Sequence, residues 1–297
     1  MLVEKSFDTG EVVLNYAEGP DYGPPILFIH GITDNWRSFL PIMPSITMRW
    51  HIYAIDLRGH GKSGHTTGHY TYRDYTRDLR KFIKKEINQP TILFGHSLGG
   101  MIATMLAADN PEIEALVIGD SPPNYDGSMR KDLIKRMSYW RRAKEMAEKG
   151  ETVSDVLRLL GEKKLMWGNV VIDDPIFLLR TAMRWSMMDP DILSNIVGCG
   201  DDPSKFDEMV EGYETGRLFP RLRCPVLLLR GNPELGGAVS DEEAKRAVEL
   251  ISDLIYVYIP TLGHSLFPKG AEPILSSARA RSDARTAPMS SKVEKGN

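Results

Sequence analysis

Two cysteines in 297 residues, Cys199 and Cys224, are too few and too far apart for a disulfide framework or a CxxC zinc site, and they read as free thiols. Neither sign of charge is in excess. The 37 Lys and Arg stand against 40 Asp and Glu, a formal net charge of -3, so the chain offers no broad positive field for nucleic acid and no strong negative field for a basic partner. Long apolar runs are missing as well: the stretch MLVEKSFDTGEVVLNY carries Glu4, Asp8 and Glu11 and holds no segment long enough for a signal peptide or a membrane span. A cytoplasmic location is expected on that ground. Metal and phosphate signatures are also lacking. His60, His65 and His69 lie close together, but no H-E-x-x-H spacing accompanies them, and the glycines at Gly95 to Gly100 are not followed by the Lys-Ser/Thr pair of a phosphate loop. No cofactor and no metal are expected, and the expected partner is a small molecule.

What is present is enough apolar material, 42% of the residues, for a sizeable core. β-branched and apolar runs recur at Val12 to Tyr16, Pro25 to Ile29, His51 to Ile55, Thr91 to Phe94, Ala115 to Ile118, Val226 to Leu229 and Leu254 to Ile259. Most lack polar alternation, as strands covered on both faces do, and helical patterns separate them: Tyr72 to Ile87, Ser97 to Asp109, and Ser240 to Leu250 with Ser240 and Glu243 at capping-box spacing. The expected class is therefore α/β with a mainly parallel sheet, the first two runs forming an antiparallel edge hairpin. The rhythm breaks between Ser121 and Pro220, where helical segments rich in Met and Trp replace strands. This interval, 121–220, is expected to be a helical lid inserted into a core made of 1–120 and 221–280. Trp140, Trp167 and Trp185 are its candidate substrate-lining residues, since broad apolar area suits a pocket, although packing is the commoner use of such side chains. Arg141, Arg142 and Lys144 read as a solvated helix face. The tail at 281–297 is small, polar and charged, the composition of a disordered segment.

One short motif carries chemistry. Gly95-His96-Ser97-Leu98-Gly99 matches G-x-S-x-G, and its context gives the match meaning: an apolar strand precedes it and an alanine-rich helix follows, so Ser97 should sit on a sharp strand-to-helix turn with its hydroxyl at the carboxyl end of the sheet. Serving merely as a helix cap is the alternative use of that serine. A serine nucleophile needs a base, and the base a carboxylate. His264, in YIPTLGHSLF just after the last predicted strand, is the base candidate. For the acid, Glu234 in RGNPELGGAVSDEE, just past the Val226 to Leu229 strand, is taken first and Asp120 in VIGDSPP second, while Asp241 and Glu242 read as helix-start residues. The oxyanion hole is expected from the amide of Leu98, directly after the nucleophile, and that of Ile32, after the tight His30-Gly31 pair.

Together these features resemble the α/β-hydrolase fold. His30-Gly31 after the third strand, DLRGHGKS at Asp56 to Ser63 after the fourth, GHSLGG at Gly95 to Gly100, Glu234 after the seventh and His264 after the eighth fall in that family's order, over residues from about 10 to 275. The resemblance implies an eight-stranded sheet with helices on both sides and a helical lid inserted after strand six. It also separates branches: dehalogenases and epoxide hydrolases of this fold place aspartate where Ser97 stands, and its aminopeptidases tend to carry tryptophan where Leu98 stands. The expected activity is that of a cofactor-independent serine hydrolase of the carboxylesterase kind, acting on an ester of an apolar small molecule. Lactonase, thioesterase, perhydrolase and C–C bond hydrolase are variants of the same machinery, and a non-catalytic ligand-binding protein is the alternative of another class.

Overall fold

The computed structural model describes residues 2–125, 127–149, 152–162, 165–167 and 170–267, with the backbone alone at 165–167, 170 and 172. Strands β1 (Val3–Asp8), β2 (Val13–Glu18), β3 (Pro25–Ile29), β4 (His51–Ile55), β5 (Thr91–His96), β6 (Ile113–Gly119), β9 (Val226–Gly231) and β10 (Leu254–Ile259) form one eight-stranded sheet in the order β1-β2-β4-β3-β5-β6-β9-β10. β1, β2 and β4 join antiparallel, and every pairing from β4 to β10 is parallel.

Alternation of side chains sorts each central strand between two apolar layers. Leu27 and Ile29 of β3 and Tyr53 and Ile55 of β4 face one layer, while Ile26, Phe28, Ile52 and Ala54 face the other. Both faces are covered, which is why these runs show no polar alternation in the sequence. The first layer is filled by α1 (Tyr72–Phe82) and α2 (Leu98–Asp109). Thr71 and Asp74 close a capping box at the start of α1, and Tyr72, Tyr75, Leu79 and Phe82 bury one face of it. α2 is buried almost throughout, because the sheet lies on one side of it and the interval after β6 packs on the other.

That interval holds α3 (Ser128–Lys135), α4 (Met137–Lys149), α5 (Val153–Glu162), α6 (Pro175–Trp185), α7 (Pro190–Asp201), α8 (Pro203–Met209) and α9 (Thr215–Leu218). It is helical as expected, with one addition: β7 (Leu165–Trp167) and β8 (Val170–Ile172) pair antiparallel as a small separate sheet, too short to register in the apolar pattern. Arg141 pairs with Asp201 and Lys144 with Glu148 at the surface, whereas Arg142, mostly buried, pairs with Glu145 and donates to the Leu159 carbonyl of α5 and so departs from the expected solvated face. After β9, α10 (Asp241–Leu250) starts at Ser240 with the expected Glu243 capping box.

The edge hairpin differs from the expectation. Pro25–Ile29 is not half of it. This strand lies inside the sheet between β4 and β5, as full burial on both faces demands, and β2 pairs instead with Val3–Asp8. The latter segment, VEKSFD, sets Glu4, Lys5 and Ser6 between Val3 and Phe7 and is mostly exposed, so it leaves no apolar run to be seen. The expected tail at 281–297 lies outside the described residues. Among the described residues no helix is long and apolar enough to cross a membrane.

Candidate active site

β5 ends at His96, and the chain reverses into α2 through Ser97 at φ 52°, ψ -120°, a backbone conformation that costs an L-residue about 1–3 kcal/mol. The surroundings hold it there. The Ser97 N–H donates to the Gly119 carbonyl of β6 at 2.9 Å, and a side chain at Gly99 would place its first carbon 2.0 Å from the Ile29 carbonyl oxygen, so only glycine lets α2 approach β3 this closely. Ser97 does not cap α2 with its side chain. Its hydroxyl instead donates to His264 Nε2 at 3.0 Å.

His264 lies in the loop after β10, with its Nδ1–H donating to Asp120 Oδ2 at 2.7 Å. Asp120 follows β6 directly, at φ 42°, and is fully buried. Both carboxylate oxygens are occupied: Oδ1 accepts from the Gly231 N–H (3.0 Å), and Oδ2 accepts from the Ala238 N–H (2.8 Å) as well as from the histidine. Serine, imidazole and buried carboxylate thus form a continuous hydrogen-bonded line in which the proton on Nδ1 leaves Nε2 free to accept.

The acid taken first from the sequence is corrected here. Glu234 lies in a short 3₁₀ turn, Pro233–Leu235, at the exposed tip of the loop after β9, where Asn232 Oδ1 accepts the Glu234 N–H and sets the turn outward. The carboxylate at His264 Nδ1 belongs to the second candidate, Asp120. The backbone there does take part, since the last residue of β9, Gly231, and Ala238 of the loop that carries Glu234 supply the two N–H groups that hold the Asp120 carboxylate.

Leu98 opens α2 immediately after the nucleophile, and the Gly31-Ile32 backbone runs beside it: a first side-chain carbon on Gly31 would lie 3.2 Å from Ser97 Cβ. Gly31, the residue before Ile32, thus lies against Ser97, and Leu98 follows Ser97 in the chain. Sequence reasoning missed His96, treated only as a neighbour of the nucleophile. Its Nε2–H donates to the His264 carbonyl at 2.8 Å, and the two rings lie 4.9 Å apart. Burial pushes its pKa down to about 4, so the ring is a neutral prop under the loop that carries His264. Its place inside the motif was the available signal. Asp56, from DLRGHGKS, ties the neighbouring loops together by accepting from the Trp36 N–H (2.8 Å), the Lys62 N–H (3.0 Å) and Asn15 Nδ2 (2.8 Å).

The tryptophans fare differently. Trp185 is 1% exposed and Trp140 is buried; both meet Tyr139 edge-on, at 6.2 and 5.0 Å, inside the core that α4 and α6 share with α2. They pack the interval between β6 and β9 and do not form an open apolar wall. The side chain of Trp167 lies outside the described residues. An ion pair between Arg184 of α6 and Asp34 links that interval to the loop after β3.

Residues 24–170 match the family described as alpha/beta hydrolase fold. Among curated proteins, a 2-(acetamidomethylene)succinate hydrolase of Mesorhizobium japonicum is 35% identical over 116 residues, 39% of this chain and 41% of that protein. A serine hydrolase-like protein of Danio rerio is 32% identical over 141 residues, 44% of this chain and 43% of the relative. The matched stretch thus spans about two fifths of each relative's length. Among solved structures, E-2-(acetamidomethylene)succinate hydrolase superposes with a TM-score of 0.70 at 22% identity, covering 95% of this chain and 98% of that one. The enol-lactonase from Burkholderia xenovorans superposes with a TM-score of 0.66 at 16% identity, covering 95% and 100%. At these identities the likeness shows a shared fold.

Proposed function

The chain belongs to the α/β-hydrolase fold superfamily, and from that premise we propose that it is a serine hydrolase cleaving a carboxylic ester of a small molecule through an acyl-enzyme. One observation carries the reading: Ser97 Oγ, on a strained strand-to-helix turn, lies 3.0 Å from a histidine nitrogen whose ring partner is a fully buried carboxylate 2.7 Å away. A ligand-binding protein has no use for that line of hydrogen bonds.

In the proposed reaction Ser97 Oγ bonds to the ester carbonyl carbon as its proton passes to His264 Nε2, and the carbonyl electron pair moves onto oxygen. The Ile32 and Leu98 amides hold the resulting oxyanion. Collapse expels the alcohol, which takes the proton from His264. Water then repeats the sequence: its proton goes to His264, its oxygen bonds to the acyl carbon, and Ser97 leaves with the proton returned. The Asp120 carboxylate holds the Nδ1–H tautomer throughout and stabilises the transient imidazolium.

The test is turnover of chromogenic esters of increasing acyl length, with lactones, thioesters and amides alongside, by wild type and Ser97→Ala. A carboxylated amide and an enol-lactone belong in the panel because similar proteins are named for such compounds. Wild-type turnover reduced at least about 10³-fold in Ser97→Ala, with a phosphonate ester labelling Ser97 one to one, is the expected result. Equal turnover in the two proteins, or a folded wild type that neither turns over any compound nor accepts the phosphonate, would overturn it. Acyl-length preference then sizes the pocket.

A further inference from the structure

Two histidines outside the Ser97, His264 and Asp120 line are completely buried, His30 at the end of β3 and His60 in the glycine-rich loop after β4. Their rings meet edge to face, 4.9 Å apart. Neither is arranged as a metal ligand. Each uses its ring nitrogens on backbone, and one contact of each falls on Gly31-Ile32, where Gly31 lies against Ser97.

The tautomer of His30 follows from its partners. Leu57 N lies 3.0 Å from Nε2, and an amide nitrogen can only donate, so Nε2 accepts. The ring proton is then on Nδ1, which donates to the Gly31 carbonyl at 2.7 Å. Burial pushes the His30 pKa down to about 4, so the ring keeps this neutral form at neutral pH. His60 faces two acceptors, the Ile32 carbonyl 2.6 Å from Nε2 and the Arg58 carbonyl 2.9 Å from Nδ1. Burial lowers its pKa to about 4 as well, leaving one proton for two carbonyls, and the shorter contact, to Ile32, takes it.

Gly31 O and Ile32 O belong to successive peptide planes. In a trans peptide the carbonyl and the N–H point in opposite directions within one rigid plane. A donor that grips Gly31 O therefore aims the Ile32 N–H. The same oxygen also accepts the Asp34 N–H at 3.0 Å, and two donors on one carbonyl polarise the amide and make its N–H a stronger donor. A grip on Ile32 O fixes the next plane and stops the first from swinging about the bonds that join them.

We propose that His30 and His60 are positioning residues of the oxyanion hole, His30 holding the Gly31–Ile32 peptide by its carbonyl so that the Ile32 N–H faces Ser97, and His60 locking the following peptide. The inference rests on the serine-hydrolase reading above and assigns the two histidines of the HG and RGHG segments one task. Losing an oxyanion donor slows acyl transfer about 10²- to 10³-fold, so a misaimed one is expected to cost about 10²-fold in kcat with KM little changed.

Amide side chains separate this role from packing, because Asn places its terminal atoms near the Nδ1 position and Gln near the Nε2 position. His30→Asn keeps the donor to Gly31 and loses the acceptor for Leu57; His30→Gln does the reverse. At His60 the pattern inverts, since Gln keeps the donor to Ile32, whereas Asn reaches only toward the Arg58 carbonyl and loses it. The expected result is crossed: His30→Asn and His60→Gln stay within about threefold of wild-type kcat, while His30→Gln and His60→Asn fall about 10²-fold, with phosphonate labelling of Ser97 slowed in parallel. Thermal stability should drop comparably in all four. A kcat that simply follows stability, or four variants equal to wild type, would overturn the proposal. Ser97→Ala run alongside separates the two failures: turnover retained there defeats the hydrolase reading itself, whereas an inactive Ser97→Ala with no crossed pattern defeats only the positioning role. Ring ¹⁵N NMR on wild type needs no variant to fold. It should find the proton on Nδ1 of His30 and on Nε2 of His60, and the opposite tautomer at either ring removes that residue from the role.

Discussion

Replacing Asp120 by asparagine tests the acid assignment more sharply than removing it, because the shape stays and the charge goes. Three donors converge on the carboxylate: Gly231 N–H on Oδ1, and Ala238 N–H with His264 Nδ1–H on Oδ2. An amide has one acceptor oxygen and one donor nitrogen, so it cannot satisfy both ends. Turning its oxygen toward His264 and Ala238 leaves its NH₂ against the Gly231 N–H; the other orientation makes two donor clashes and forces His264 to give up the Nδ1 proton. The first is the cheaper. His264 then keeps its tautomer but loses the negative charge beside the imidazolium. At an effective dielectric constant near 20, a charge pair at about 4 Å is worth roughly 4 kcal/mol, or about three decades in kcat. The orphaned Gly231 N–H adds a stability loss of about 1–3 kcal/mol. The assay is kcat on a turned-over chromogenic ester for wild type, Asp120→Asn, Glu234→Gln and the double variant, with urea unfolding of each. The expected outcome is a roughly 10³-fold loss for Asp120→Asn, Glu234→Gln within twofold of wild type, and a double variant equal to Asp120→Asn. A loss of more than about 10²-fold in Glu234→Gln, with Asp120→Asn retaining a tenth of wild-type activity, would refute the reasoning and require the loop after β9 to rearrange during turnover.

Other consequences are measurable with the same proteins. Burial lowers His30, His60 and His96 from a reference value of 6.5 to about 4, so between those limits the unfolded chain binds more protons and stability must fall as pH falls, by at most about 3 kcal/mol for each ring. Urea midpoints should drop from pH 7 to pH 5.5 and less steeply below that, where Asp56, Asp78 and Glu243, whose pKa burial raises, take up protons more readily when folded; a midpoint that rises between pH 7 and pH 5.5 would contradict the neutral buried rings. Gly99→Ala drives a carbon into the Ile29 and His30 carbonyls, backbone against backbone, and should cost at least about 3 kcal/mol. Gly216→Ala, with nothing within 4 Å of the added carbon, should leave Tm within a degree or two, and equal effects of the two substitutions would remove the close approach as the reason for Gly99.

The elbow was legible because its demands are local: an apolar strand, a serine between glycines and an alanine-rich helix are consecutive in the chain. His264 was legible because a loop histidine after the last apolar run had few competitors. The acid was not, since Asp120 and Glu234 both follow strands of similar character, and only the turn of the backbone at each decides which side chain reaches the histidine. β1 escaped notice because Glu4, Lys5 and Ser6 line an exposed edge, where no burial imposes an apolar pattern. For the tryptophans between β6 and β9, sequence leaves both packing and pocket lining open, because broad apolar area suits either. In the fold, Trp140 and Trp185 are both buried and both meet Tyr139, a contact across the chain that sequence distance does not display.

Why the acid can stand after β6 follows from sheet order. β6 lies between β5, which leads into Ser97, and β9, and the pairings His96 to Gly119 and Gly119 to Leu229 bring the carboxyl ends of all three strands together. A residue just past Gly119 therefore starts one strand nearer to Ser97 than a residue past Gly231. A carboxylate at that point reaches His264 only if the backbone turns it toward β9, and Asp120 at φ 42° makes that turn. The loop after β9 is then freed from supplying a side chain, but it still has to supply donors and meet the histidine loop. Both needs press it inward: Asn232 donates its N–H to the Leu262 carbonyl at 2.6 Å, and a side chain on Gly263, beside His264, would stand 1.9 Å from the Leu235 carbonyl oxygen. With its backbone committed to Asp120 on one side and to the histidine loop on the other, residues 233–235 have only the solvent side left for their turn. Glu234 is exposed for the same reason that Asp120 is held.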